Sequence, residues 1–500
     1  MQQSVTNELG TDTRAAAGGP PSFAQERMWF LDRLEGGEST AYVTTPMWWV
    51  RGPLDRGRFE QALARVVARH ETLRSRFTEL DGAPRVLVAD HCDIVVDWRD
   101  ATGAEQVDQE ARAEAGKPFD LSRGPLLRIV VWRLGDHEHV LLAAMHHIIS
   151  DAWSTGLFVR ELGALYDGAT LPELPCTYTQ FAAEQRQELD GDALNADLAF
   201  WRERLGGLPV LELPVDRARP VRPSWVGATY AFDLEPELVA GLERLGREQG
   251  ATLYMTLLAA FEVLIGGWSG QCDFGVGTPV AGRGRPEVEN LVGLFVNTLV
   301  VRADLSGDPT FTELLASVRD HSLDALDHQH VPYERVVREL RPERPDTDSL
   351  IDTWFAMQNV PDAGDDTGTL RFGDFDTDRP RALFSLSLFA QPRRDGAMAM
   401  TFVYGTDVFD EVSVGRLVGR CRALLAAVVA SPGVRVGELG LPAGEVGVLR
   451  RWGGGEVSPG VVVDPVVLFE ERVRAVPGAV AVFSGGRAVS YGQLNARANR

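Results

Sequence analysis

Residues 145–154 read MHHIISDAWS, with His146 and His147 side by side and Asp151 four positions after the second. A neutral imidazole is basic enough near neutral pH to accept a proton, or to hold a nucleophile by hydrogen bonding. Metal ligation is the competing chemistry and fits poorly. Adjacent side chains on a strand point to opposite faces, there is no HExxH, and Asp151 alone does not complete a ligand set. A purely structural account fits the spacing equally well: two buried imidazoles satisfied locally, and Asp151 as the N-cap of a helix beginning near Trp153. The functional account is a division of labour. One histidine faces a cavity as base, the other packs into the scaffold, and a carboxylate–arginine contact holds the arrangement from below.

Other chemistries lack their motifs. The chain has no GxSxG elbow, no GxxxxGK[ST] loop and no GxGxxG after a strand. Cys92, Cys176, Cys272 and Cys421 are scattered, as free thiols in a reducing compartment would be. A histidine acting here needs substrates that bring their own nucleophile. With a formal net charge of −21 over 500 residues, the chain disfavours nucleic acid and anionic membrane surfaces as partners. Its longest apolar run, Tyr254 to Trp268, is interrupted by Glu262 and glycine and is too short to span a bilayer. Residues 1–20 carry no basic start followed by an apolar core, and their polar, Ala/Gly/Pro-rich composition predicts disorder.

The elements that must position the histidines are legible as periodicity. HVLLAAM, His139 to Met145, is a continuous apolar run that predicts a buried strand. Trp153, Leu157, Phe158, Leu162 and Leu165 mark one face of a helix that Gly168 should cap. Phe59, Leu63, Val66 and Val67 predict an amphipathic helix within Arg58 to Phe77. A second region, from about Tyr178 to Ala430, again mixes helices (Glu235 to Glu248, Thr252 to Ile265) with strands (Phe274 to Val280, Phe295 to Ala303, Asp352 to Asn359, Met398 to Tyr404). Leu441 to Val461, with WGGGEVSPG, reads as a loop-rich linker. The piece after it stops in mid-pattern, as a cut in a longer parent chain would.

Taken together, these stretches resemble the condensation domains of nonribosomal peptide synthetases. HHIISDA resembles HHxxxDG at His146, His147 and Asp151, with Ala152 in place of the glycine. SFAQERMWFL from Ser22, RHETLRSRF from Arg69, FDLSRGPLLR from Phe119, YTQFA from Tyr178, VGLFVNTLVVR from Val292, HQHVPYERVV from His328 and YGTDVFD from Tyr404 follow in the family's order. SYGQLNARANR, from Ser490, resembles the beginning of an adenylation domain.

The resemblance implies an α/β fold of two chloramphenicol acetyltransferase-like lobes, a V-shaped pseudo-dimer with a central substrate tunnel. Expected boundaries are 1–20 for the disordered start, 21–180 and 181–440 for the lobes, 441–463 for the linker and 464–500 for a truncated adenylation start. It implies amide formation by attack of a carrier-bound aminoacyl amine on a carrier-bound peptidyl or acyl thioester. No cofactor is bound covalently and no metal is expected. Phosphopantetheine arms arrive on donor and acceptor peptidyl carrier proteins, and an adenylation domain follows in the parent chain.

The chain is expected to be a cytoplasmic monomer. His147 would face the tunnel, His146 would be structural, and Asp151 would hold the loop through an arginine, Arg283 first and Arg74 second. A backbone N–H near Ala152 or Trp153 could meet the developing oxyanion, Asn297 would lie near the tunnel, and Trp201 would pack at a lobe contact. Ala152 could narrow the passage, since glycine permits backbone shapes and approaches that a methyl group restricts. A starter domain with a fatty acyl donor, and a noncatalytic platform that docks a tailoring enzyme, are the alternatives.

Overall fold

A computed structural model describes residues 18–499 except 38, 190, 221–223, 342–349, 359–367, 376–380, 440–442, 454–463 and 485–486. Most of the N-terminal stretch expected to be disordered, and Asn359, lie outside the described residues. Two 6-stranded sheets carry the first 440 residues, which form one compact unit; Leu441–Arg500 form another. In chain order the strands of the two sheets are β1 (Val43–Thr44), β2 (Met47–Arg51), β3 (Val96–Asp100), β4 (Leu127–Gly135), β5 (Glu138–His146), β6 (Gly227–Leu234), β7 (Asp273–Val280), β8 (Asn297–Asp304), β9 (Thr353–Met357), β10 (Arg371–Asp374), β11 (Leu386–Pro392) and β12 (Met398–Gly405).

The first sheet runs β10-β2-β5-β4-β3, with β1 paired to β5. Its one parallel pairing is β3 with β4. The second runs β8-β7-β9-β11-β12-β6, with β9 parallel to both neighbours. The apolar run in β5 is buried because strands flank it on both sides and helices α1 (Arg56–Arg69) and α2 (Ala152–Tyr166) join the same core. Gly168, at φ +84°, follows α2 in the left-handed conformation that ends a helix without strain. Among the described residues no single helix is long and apolar enough to cross a membrane.

Three features depart from the sequence reading. The helix expected within Arg58 to Phe77 ends at Arg69; His70 is extended, and a one-turn 3-10 helix leads into a strand at Ser75–Leu80. His70 leaves the helix because its ring is tied to Glu161 on α2 at 2.8 Å. Ala443–Gly453, within the expected linker, is helical; its glycines are tolerated inside a helix at a modest cost rather than acting as breakers. Most consequentially, β10 comes from the stretch assigned to the second lobe yet pairs antiparallel with β2 of the first, Phe372 opposite Val50.

The unit after residue 440 holds, beyond Ala443–Gly453, a helix at Pro465–Ala475, a hairpin at Val480–Ser484 and Arg487–Ser490, and a helix at Tyr491–Ala498 that Ser490 and Gln493 cap reciprocally.

Helix α3 (Leu253–Ser269) runs through the second lobe's core, which explains an apolar composition that a surface helix would not have. Glu262 lies in its middle, fully buried, with neither carboxylate oxygen hydrogen-bonded. Burial pushes its carboxyl up to about 8. Since its folded value exceeds the unfolded one, this contribution to stability is complete below about 4.5 and is lost as pH rises through about 8. Glu262→Met should therefore stabilise the domain at pH 8 by about 1–3 kcal/mol, the cost of an unsatisfied buried polar group. Urea unfolding of both proteins from pH 5 to 9 should show a flatter profile for the variant.

Candidate active site

The two histidines part company because the strand stops between them. β5 ends at His146, and the backbone then curls into one 3-10 turn, His147–Ile149. The His146 ring holds that turn, its Nδ1 accepting from Ile148 N–H at 3.1 Å. An accepting Nδ1 places the proton on Nε2, which is buried without a partner. The ring packs beside Tyr42 and Phe119. Burial, then the neighbouring His147, pulls its pKa down to about 3, so His146 is a neutral core group near neutral pH.

His147 has the opposite setting. Its N–H donates to the Tyr42 carbonyl at 2.8 Å, and its Nδ1 lies 2.5 Å from the Ser150 carbonyl. A carbonyl only accepts, so Nδ1 carries the proton and Nε2 of the neutral ring keeps a lone pair. The side chain lines a cavity of ≈ 830 Å³, whose wall takes Met28 and Tyr42 from the first lobe and Asn297, Trp354 and Phe384 from the second. An imidazole with Nδ1 anchored and Nε2 free can take a proton from an amine or orient one.

Asp151 caps α2 and also reaches across to the second lobe. Oδ1 accepts from Ser154 N–H at 2.8 Å, and Oδ2 accepts from Phe295 N–H at 3.0 Å. Arg283 donates from Nη2 to Asp151 Oδ1 at 3.3 Å and to Ser154 Oγ at 2.8 Å. Its Nη1 donates to the carbonyls of Val288 at 2.7 Å and Leu291 at 2.8 Å. Both side chains are buried, at 3% and 4% exposure, so removing either leaves its partner charged and out of water. Burial pulls the Arg283 guanidinium below its usual value, and Asp151 opposes that shift.

Arg74, the second candidate, does not reach Asp151. It is the last residue of the 3-10 turn Glu71–Arg74 and donates instead to the Ala89 carbonyl. Ala152 is the first residue of α2 and exposed, and neither it nor Trp153 lines the cavity. A helical residue has negative φ, so a methyl group is accommodated there and does not narrow the cavity. Trp153 donates from Nε1 to the Glu289 carbonyl at 3.0 Å and lies beside the Arg283 guanidinium.

Asn297 lines the cavity with its amide fully occupied. Nδ2 donates to the Gln329 and Val331 carbonyls at 2.8 and 2.7 Å, and Oδ1 accepts from Tyr333 N–H at 3.1 Å. Trp201, 2% exposed, packs in a cluster where Phe23 from the first lobe meets Leu299, Ala325 and Val336 of the second. The sequence offered no pointer to Tyr42 and Ser150, which act on His147 through backbone carbonyls, or to Ser154, which also bonds Gly293. Among the described residues no cluster of His, Cys, Asp and Glu could hold a metal ion.

The condensation-domain profile matches residues 19–445. The chain is 39% identical to a linear gramicidin synthase of Brevibacillus parabrevis, over 96% of this chain and 10% of the relative. It is 37% identical to a phosphinothricin tripeptide synthetase of Streptomyces viridochromogenes, over 96% of this chain and 46% of that one. It thus spans less than half the length of these curated relatives. The X-domain from teicoplanin biosynthesis superposes with a TM-score of 0.78 at 27% identity, covering 87% of this chain and 99% of that structure. The first condensation domain of the calcium-dependent antibiotic synthetase shares the fold, with a TM-score of 0.70 at 21% identity over 85% and 100%.

Proposed function

The chain belongs to the condensation-domain family of nonribosomal peptide synthetases, and from that membership we propose that it forms an amide between two carrier-bound substrates. A donor acyl or peptidyl thioester and an acceptor aminoacyl thioester enter on phosphopantetheine arms of separate carrier proteins. The acceptor amine attacks the donor carbonyl, the C–N bond forms, the C–S bond breaks, and the donor thiol leaves with the proton. A thioester is already activated, so the enzyme's tasks are to hold two tethered groups at attack distance and to manage that proton. His147 accepts the amine's hydrogen bond at Nε2; Asp151 and Arg283 are positioning residues that hold its turn against the second lobe. Residues 464–500 begin an adenylation domain in a cytoplasmic assembly line, and the donor terminus is an L-configured residue of a peptidyl chain.

One observation carries this reading: an imidazole with a free Nε2, fixed by a backbone carbonyl, opens onto a cavity that both lobes line. Intact-protein mass spectrometry of a donor-loaded and an acceptor-loaded carrier should show the acceptor gaining the donor's mass only when this chain is added. A second reading, a noncatalytic platform that docks a tailoring enzyme, draws on the likeness to the teicoplanin X-domain, which has also been solved in complex with OxyB. Absence of transfer from both peptidyl and fatty acyl donors would favour it, with Ala152→Gly as the next comparison.

A further inference from the structure

We propose that the second-sheet wall of the cavity is a side-chain selector that takes an aromatic or large apolar side chain on one of the two joined residues; this rests on the amide-forming reading above. Trp354 on β9, Ser387 on β11 and Val403 on β12 lie side by side in register, and all three line the cavity. Their chain neighbours Phe355, Leu388 and Phe402 belong to the core on the other face of the sheet. Phe389, two residues beyond Ser387, continues the cavity face. On β9, β11 and β12 the lining is therefore apolar except for the Ser387 hydroxyl, while β8 adds the polar Asn297 and Thr298 at the sheet's far edge.

Trp354 is held rigidly in it. Its cross-strand partner is Gly277 on β7, where an added Cβ would lie 2.8 Å from Trp354 Cε3 and 2.2 Å from Ile351 Cδ1. The absent side chain lets the indole lie against that strand. The ring also stacks with Phe384, centroids 4.8 Å apart and planes 11° apart. A fixed aromatic ledge binds flat apolar groups with little loss of conformational freedom. Charged residues elsewhere on the lining are mostly paired: Arg27 with Glu334, Arg285 with Glu184, His330 with Asp197. A charged substrate side chain laid on the ledge would lose water without gaining a partner. Arg381 and Asp327, which also line the cavity, are the groups that could reverse this choice, the first for an anionic and the second for a cationic side chain.

The test uses the full chain and pantetheine amides of phenylalanine, leucine, alanine and aspartate, in which a stable amide replaces the thioester. By calorimetry the phenylalanyl amide should bind at least about tenfold more tightly than the alanyl one, the discrimination an apolar pocket supplies. Trp354→Ala should erase that difference, and Trp354→Phe should keep most of it. Phe384→Ala should give the same selective loss, and serves if Trp354→Ala does not fold. Varying donor and acceptor residues separately in the transfer assay shows on which arm kcat/KM follows the ledge. Equal affinities for all four amides, a variant that weakens all alike, or an aspartyl preference that Arg381→Ala removes would overturn the proposal. Selective binding without transfer would sink the catalytic reading alone; transfer with no selectivity on either arm would sink the selector alone.

Discussion

His147→Ala should lower amide formation between loaded carriers by about 10²–10⁴-fold, the range for losing a positioned proton-transfer group, and leave thermal unfolding unchanged. The two halves of that expectation come from one geometry. Among the described residues the ring's one hydrogen bond is through Nδ1 to Ser150, and the side chain borders the cavity. Removing it therefore takes away little packing, while the acceptor amine loses the imidazole that receives its hydrogen bond. His147→Asn separates the two roles open to Nε2. An amide oxygen can accept a hydrogen bond from the amine but cannot carry its proton away. Substantial residual turnover with Asn makes His147 a positioner; equal failure of Ala and Asn makes it a base. Single-turnover mass spectrometry with both carriers preloaded reads the chemical step directly.

Asp151→Ala should act on the fold before it acts on the reaction. Breaking a buried ion pair by removing one partner costs about 3–5 kcal/mol, and here the loss also strips the cap from α2 and the acceptor from Phe295 N–H. Arg283→Met should destabilise comparably, since it unmoors the carbonyls of Val288 and Leu291 as well. The double variant Asp151→Ala with Arg283→Met should be less destabilised than the sum of its parts, because no charge is left stranded. Urea midpoints of the four proteins measure this coupling. A plainly additive result would mean that the pair contributes through its separate hydrogen bonds alone.

How far such a site can be read in advance depends on whether its information is local. The apolar run before the histidines, the periodic face of α2 and the glycine that closes it are all local, and the strand and helix follow from them. Arg283 stands 132 positions from Asp151, so spacing could not pair them; only the resemblance put it ahead of Arg74. Tyr42 and Ser150 act on His147 through their carbonyls, a group every residue has and no sequence pattern marks. The four residues of β10, RFGD, are too few and too mixed to show alternation, and their partner lies about 320 positions away in the chain. The helix through Glu262 is expected from Thr252 to Ile265, but the fate of its charge is not local. A charge within an apolar run reads as an interruption, yet the helix carries it buried, its carboxyl proton retained near neutral pH.

The reach of Arg371–Asp374 into the first sheet bears on chimeras. A splice at residue 180 would import a foreign first lobe and keep this chain's β10, matched in register to Trp48, Trp49, Val50 and Arg51. The ring of Phe372 lies over Gly163 of α2, and that of Phe375 packs on Trp49, so the fit extends beyond backbone pairing. In the reciprocal graft, which takes this chain's first lobe without β10, MWWVR loses its neighbour and becomes an open apolar edge, the kind that recruits other chains. A graft that carries residues 368–375 along with the first lobe keeps that edge closed.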